Sequence, residues 1–366
     1  MERYEPFNVP AFTYPGGDAR NIQVSAHCGR NGFDYFGEND CLKNARIVKV
    51  VHPEANVPPL NYPSIWPKLY ALFSDDSEKF FIWFWSINAL LLLTALTTLC
   101  AKYNPLYLPI LIGSPISMLA IERGNNDGIV FFLTFVPLIA FHRNQRLQSF
   151  FMGISTSLKI FPIFGYLAFS PRVVTANFRA TLLGAVYAAP FVFASFSEIS
   201  KFLGSTTKGY HYAYGLQSLK YSPLLSEKQH LLYVLLGFYL ILWCAAMRFA
   251  KNNSKSIISL DKKLSSLKKI DLQVLIASSS IFLLTFLIFT NWSYRLIFVF
   301  PAFLVLSKIN SKIAMIASAN IAIILLSPFA NKHWEIQNAA CYPLSIIMSI
   351  IIFRAVLAKP LQENRI

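Results

Sequence analysis

Ten apolar runs, most of them near the length that crosses a bilayer, follow one another from residue 80 to residue 358 and leave the chain few ways to fold. They lie at roughly 80–100, 105–121, 128–142, 147–170, 173–196, 230–250, 271–290, 294–307, 312–328 and 343–358. About 20 apolar residues in a helix span the ~30 Å hydrocarbon core. Lipid offers no partner to backbone N–H and C=O groups, so such runs satisfy their own backbone as helices. Composition agrees, with 55% hydrophobic and only 14% charged residues, where a soluble domain carries about a quarter charged. The predicted fold class is an all-α polytopic membrane protein.

The net charge of +15 would point to nucleic acid in a soluble protein. Here many cations sit in short loops between apolar runs, which is the signature of the cytoplasmic side, and no nucleic-acid partner is expected. The loop 251–270 holds Lys251, Lys255, Lys262, Lys263, Lys268 and Lys269 against the single acid Asp261. His142–Arg146 and Pro171–Arg179 carry the same signal. Two consecutive cytoplasmic loops require an even number of crossings between them, yet Gln148 to Ser170 is only 23 residues, enough for one span at about 1.5 Å per residue. The conflict resolves if this run is a re-entrant hairpin of two half-helices, broken near Lys159-Ile160-Phe161-Pro162, because proline interrupts a helix. Lys159 then sits at the tip, deep in the membrane.

The expectation is therefore about nine spans plus one broken re-entrant hairpin, with 294–307 short for a span. Residues 80–366 form the transmembrane domain. Residues 1–79 form a polar extracytoplasmic region with turns and short interfacial helices, on the same side as 122–127, 197–229, 291–295 and 331–342. The first residues show no signal-peptide pattern. The aromatic stretch Pro58–Pro67 suits the headgroup layer. Cys28 and Cys41 either pair or stay as free thiols; both readings are open.

The stretch Ile121-Glu122-Arg123-Gly124-Asn125-Asn126-Asp127-Gly128 places two carboxylates, a guanidinium and two carboxamides between two apolar runs. Ionisable groups at a membrane edge are costly unless paired or wet, so they point to function; the plainer reading is a polar loop. Asp18, on the glycine turn Gly16-Gly17-Asp18, is placed as a carboxylate base, with Asp34, Glu38 and Asp40 as rivals and an ordinary turn residue as the plain reading. Arg123, Lys159 and Arg295 would together suit a phosphate, or each could snorkel alone. His211, Tyr212 and Gln217, in the loop Lys208–Ser218, offer aromatic faces and polar edges for a sugar; His333-Trp334-Glu335 is similarly placed. No zinc spacing, P-loop or nucleophile elbow is present; no cofactor is expected, and no metal either, since the three cations could do its work, with the carboxylates of Asp18, Glu122 and Asp127 leaving a metal as the open alternative.

Four pieces carry a family resemblance: Gly17-Asp18-Ala19-Arg20 with Asn61–Trp66 downstream, Glu122–Asp127, Leu158-Lys159-Ile160-Phe161-Pro162, and Asn291-Trp292-Ser293-Tyr294-Arg295. In that order and on one membrane side, they resemble polyprenyl-phosphate-sugar-dependent glycosyltransferases of the GT-C superfamily, particularly the family 87 mannosyltransferase relatives. The resemblance implies an inverting enzyme of the plasma (inner) membrane with an extracytoplasmic site. It would move a sugar, mannose being the family's example, from a polyprenyl-phosphate donor to a glycan or lipid-linked acceptor. Asp18 would be the catalytic base, and Arg123, Lys159 and Arg295 would bind the donor phosphate. Arg20, Glu122, Asn125, Asn126, Asp127, His211, Tyr212, Gln217 and Tyr294 complete the expected substrate-binding set. Family members carry a helix before the acidic loop and this sequence shows none before Asp18, so an upstream helix is expected ahead of Met1. A transporter or flippase of lipid-linked sugars, or a lipid-linked glycan polymerase or ligase, would show similar features.

Overall fold

The computed structural model describes residues 3–4, 9–10, 17–34, 36, 40–43, 62–73, 77–170, 178–196, 198, 201, 213–221, 228–252, 254–288, 291–326 and 334–357. The protein is all-α and membrane-embedded. Four helices are long and apolar enough to cross a bilayer, over Phe81–Tyr103, Gln229–Lys251, Lys269–Ile288 and Ile336–Val356. In chain order the helices are α1 Gly17–Arg30, α2 Asp40–Lys43, α3 Ile65–Phe73, α4 Ser77–Tyr103, α5 Leu108–Ile112, α6 Pro115–Glu122, α7 Asp127–Ala140 and α8 Gln145–Leu158. They continue as α9 Phe178–Phe196, α10 Gln229–Lys251, α11 Lys255–Ser265, α12 Lys269–Ile288, α13 Phe300–Leu306, α14 Lys312–Leu326 and α15 Trp334–Ile352. Two pairs of two-residue strands, Arg3–Tyr4 with Val9–Pro10 and Ala213–Tyr214 with Asn291–Trp292, are the extended pairs among the described residues.

Helix α12 is the hub. Its apolar residues are buried along nearly its whole length, and so are Ser278, Ser279 and Ser280. Small hydroxyl side chains let helices approach and supply hydrogen bonds where lipid supplies none. Ser280 Oγ donates to Phe164 O at 2.8 Å, and Ser278 Oγ accepts from Ala302 N at 3.0 Å while donating to Phe298 O. These bonds hold two 3₁₀ segments, Phe161–Phe169 and Ser293–Val299, whose backbone would otherwise lack partners in the membrane. At the periphery, α10 turns Tyr233, Val234, Phe238, Leu240 and Ile241 outward, as a lipid-facing helix does.

The run 147–170 is broken where the loop charges demanded. Asn144 caps α8 by accepting from Leu147 N, and α8 ends at Lys159, whose backbone is extended. Pro162 has no N–H to continue a helix. The chain then folds back along α8: Tyr166 Oη donates to Ser149 O at 2.7 Å, and a Cβ on Gly165 would meet Met152 Sδ at 2.9 Å. Helix α9 next runs parallel to α8, with Ser149 Oγ bonded to Thr181 O at 2.7 Å near one end and Ser195 Oγ to Ser157 O at 2.6 Å near the other. A parallel neighbour means the intervening segment has returned to the level at which α8 began. The exposed carbonyls at the tip are also covered, because Trp66 Nε1 donates to Leu158 O at 2.8 Å.

Several sequence expectations need correction. The run 105–121 is not one straight helix: it bends by 57° at Gly113–Ser114, where Ser114 caps α6 and Pro115 begins it. The run 294–307 is a 3₁₀ segment followed by the short α13. The run 343–358 is the latter part of a helix that starts at Trp334. The basic loop 251–270 contains α11, which buries Ile257, Leu260 and Leu264 and ties Asp261 to Arg354. Asp18 lies in the first turn of a 14-residue helix rather than on a glycine turn. Tyr62 and Trp66 are buried against the bundle instead of facing headgroups. Cys28 and Cys41 form a disulfide.

The charges sort to two ends of the bundle. At one end, Tyr214 pairs with Asn291, Asn338 Nδ2 donates to Ser218 Oγ, and Ser64 donates through N and Oγ to Glu198. At the other, Lys102 lies 3.4 Å from Asp271 and Arg354 binds Asp261. The basic segments 142–146 and 251–269 belong to this second end, because α7, α10 and α12 start or finish there.

Candidate functional site

At the end opposite the basic loops, the short link between α6 and α7 makes its own scaffold. Arg123 caps α6, and Gly124 takes φ +59°, a left-handed conformation that glycine adopts without strain. Asn125 Oδ1 then accepts from Asp127 N at 2.8 Å, which starts α7. Gly128 sits against α4, where a Cβ would lie 2.5 Å from Asn88 O. The neighbour is backbone and cannot rotate away, so Gly128→Ala is expected to cost about 1–3 kcal/mol. A lowered unfolding midpoint in detergent is the readout.

Onto this link comes α1 from the N-terminal region. Asp18 N donates to Arg123 O at 3.0 Å. Arg123 answers with a fork, Nη2 to Asp18 Oδ1 at 2.6 Å and Nε to Oδ2 at 3.1 Å. Asn125 Nδ2 donates to Asp18 Oδ2 at 2.6 Å and to Tyr62 Oη at 3.2 Å. From below, at the tip of the broken hairpin, Lys159 Nζ reaches Asn125 Oδ1 at 2.9 Å and Asp127 Oδ1 at 2.5 Å. Arg295 Nε stands 3.7 Å from Asp127 Oδ2. Five segments distant in sequence thus meet in one buried network: Asp127 is fully inaccessible and Lys159 is 4% exposed. Lys159 Nζ also lies 4.9 Å from the Tyr62 ring centre, and the Arg295 guanidinium 5.5 Å from that of Phe161, both within cation–π range.

Arg123, Lys159 and Arg295 against Asp18 and Asp127 leave one net positive charge. The three cations expected to gather do gather, and each already faces a carboxylate. Asn126 stands apart: it is buried, and neither its amide nitrogen nor its oxygen has a hydrogen-bond partner among the described residues. A buried amide left in this state is rare and marks a place that a ligand or water can complete.

Burial alone would raise the pKa of Asp18. The Arg123 guanidinium, its hydrogen bonds, those of Asn125 and the charge of Lys159 outweigh this and hold the carboxyl below its ordinary 3.8. A depressed carboxyl pKa stabilises the fold above the unfolded value, and that contribution is lost as pH falls through the folded value. Arg123→Gln removes two of the lowering influences and leaves burial dominant. The acid-side fall in unfolding midpoint below about pH 3.8 should therefore flatten in the variant, and an unchanged pH profile would contradict the clamp.

The remaining predicted residues divide. Arg20 lies on α1 with its guanidinium 4.1 Å over the Phe81 ring. Glu122 is the last residue of α6. Gln217 and Tyr294 fall in 3₁₀ segments, but their side chains lie outside the described residues, as do His211, Tyr212 and His333 altogether. Of the rival acids, Asp34 accepts from Phe36 N and Asp40 starts α2, while Glu38 is outside the described residues. Sequence reasoning missed Tyr62 as a site residue. Its signals were its place in an aromatic segment, which had suggested the headgroup layer, and in the piece Asn61–Trp66 of the family resemblance, which gave it no role.

The fold and the site define a membrane-embedded helical protein with a buried, mixed-charge network at the end of its bundle away from the basic loops. No family model, curated protein or solved structure matches the chain.

Proposed function

We propose that the protein is a membrane glycosyltransferase that moves a sugar from a polyprenyl-phosphate donor to a hydroxyl of a glycan or lipid-linked acceptor, on the extracytoplasmic side of the plasma membrane. The observation that carries this reading is the meeting of Asp18 with Arg123, Lys159 and Arg295 in one network. The resemblance of the four sequence pieces to the GT-C family supports it. The side is read from charge: if the bent pair 105–122 and the four shorter apolar helices cross as well as the four long ones, the crossings number nine, and the re-entrant hairpin adds none. With the lysine-rich loops cytoplasmic, the network faces outward. Helices α7 and α8 have 14 residues each, about 21 Å. Both are shorter than the ~30 Å hydrocarbon core, so in this reading the network lies beneath the outer headgroup layer, within reach of a phosphate that a lipid donor carries into the protein.

The reaction is a single displacement. The acceptor oxygen attacks the anomeric carbon and its proton passes to an Asp18 oxygen. The bond between that carbon and the phosphate oxygen breaks, its electron pair leaves with the lipid phosphate, and configuration inverts. Lys159 and Arg295 stabilise the departing charge. Arg123 is shared: its fork fits a phosphate as well as a carboxylate, so donor binding that draws Arg123 away from Asp18 releases a carboxylate able to take the proton. Asn126 supplies an unused donor and acceptor for the sugar.

The test is transfer by purified Asp18→Asn protein in lipid nanodiscs, from a radiolabelled polyprenyl-phosphate mannose to lipid-linked glycan acceptors. Loss of transfer with donor binding retained supports the proposal; undiminished transfer overturns it. A transporter of lipid-linked sugars would also use a broken helix at mid-depth, and it would keep moving its cargo after this substitution.

A further inference from the structure

The link between α6 and α7 carries two neighbouring carboxamides in opposite states. That of Asn125 is saturated: Nδ2 donates to Asp18 and Tyr62, and Oδ1 accepts from Lys159 Nζ and Asp127 N. That of Asn126 makes no hydrogen bond among the described residues, although the residue is 1% exposed. Its position offers an ordinary task. Asn126 is the N-cap of α7, where asparagine is favoured because its side chain can accept from the first turn. The task goes undone: Asn126 has helical dihedrals, φ −64° and ψ −1°, its side chain caps nothing, and Asn125 accepts from Asp127 N instead.

A buried amide without partners costs stability and marks a place for a ligand group or a water. A carboxamide presents donors and an acceptor together, which is what a hydroxyl complements. A phosphate, which only accepts, would leave Oδ1 unpaired, and the cations for a phosphate already stand at the next residue, where Lys159 and Arg295 face Asp127. Charge narrows the ligand further. The three cations and two carboxylates of the network leave one positive charge, which the phosphodiester monoanion of a lipid-linked sugar cancels. A further charge on the sugar would be buried without a counter-ion.

We propose that Asn126 selects the donor sugar: its carboxamide pairs with one hydroxyl, or two adjacent hydroxyls, of a neutral sugar and rejects sugars that lack them. The selection rests on the sugar-transfer reading and deepens it. A site built to bond a hydroxyl discriminates strongly against the analogue without one, because its own polar group is then left unpaired.

The test is binding in lipid nanodiscs of polyprenyl phosphate, polyprenyl-phosphate mannose and the monodeoxy analogues of that mannose lipid. The wild type should bind the parent roughly ten- to a hundredfold more tightly than at least one monodeoxy analogue. Asn126→Leu and Asn126→Ala should bind that analogue and the parent alike, while binding polyprenyl phosphate as the wild type does. Leucine is close to asparagine in size, so without ligand the unfolding midpoint of Asn126→Leu should be kept or raised. Discrimination that is absent in the wild type, as it would be if an ordered water filled the place, overturns the proposal. So does discrimination that persists in both variants. Midpoint and polyprenyl-phosphate binding falling together in both variants would assign Asn126 to the fold and overturn it as well. Failure of the wild type to bind either lipid would remove the sugar-transfer reading itself, whereas binding of both without discrimination removes only the selection by Asn126.

Discussion

Asp127→Asn is expected to be the most damaging single substitution in the protein, lowering stability by about 3–5 kcal/mol. Asp127 is fully buried and faces two cations, Lys159 at 2.5 Å and Arg295 at 3.7 Å. Neutralising it leaves both without their shared anion in a site from which water is excluded. Breaking a buried pair from one side costs far more than removing the pair, because the surviving charge stays desolvated. An ordering follows that mere loss of a contact would not give. Lys159→Met should be milder, since Asp127 still has Arg295. Adding Lys159→Met to Asp127→Asn should recover part of the loss, because the fully desolvated ammonium is then gone as well. Unfolding midpoints of the three variants in detergent check this, and a double variant worse than Asp127→Asn alone would contradict it.

The largest expected effect on activity is that of Asp18→Asn, a fall in turnover of about 10²–10⁴-fold, the usual worth of a general base. Asparagine is nearly the same size and can still accept from Asn125 and Arg123, so the link between α1 and the α6–α7 turn has the best chance of surviving. What it cannot do is take a proton. Donor affinity should be kept or raised, because Arg123 no longer has a carboxylate competing with phosphate for its fork. Turnover and donor binding moving in opposite directions would separate a lost base from a disordered site; equal losses in both would assign Asp18 a structural role.

Much of this was legible in the sequence, for identifiable physical reasons. The broken hairpin followed from two basic loops only one span apart and from Pro162, and its tip is where Lys159 turns out to stand. The network was legible because charge between apolar runs has few tolerable destinations. Its internal pairing was not. Nothing in the spacing says that Arg123 would clamp Asp18 or that Asp127 would be shared between Lys159 and Arg295, since these contacts join residues 32 to 168 positions apart. Periodicity also failed at 105–121, where Gly113, Ser114 and Pro115 lie in an otherwise apolar run and break it, and at Trp334, whose helix begins in polar sequence. The pairing of Cys28 with Cys41 could not be decided because composition is equally compatible with free thiols.

The parallel course of α8 and α9 has a bearing on any experiment with reporter tags. Counting residues 147–170 as a single passage would invert the compartment assigned to every later part of the chain, down to the carboxyl end. Tags placed at 143 and at 175, thirty-two positions apart, should instead answer to the same impermeant reagent.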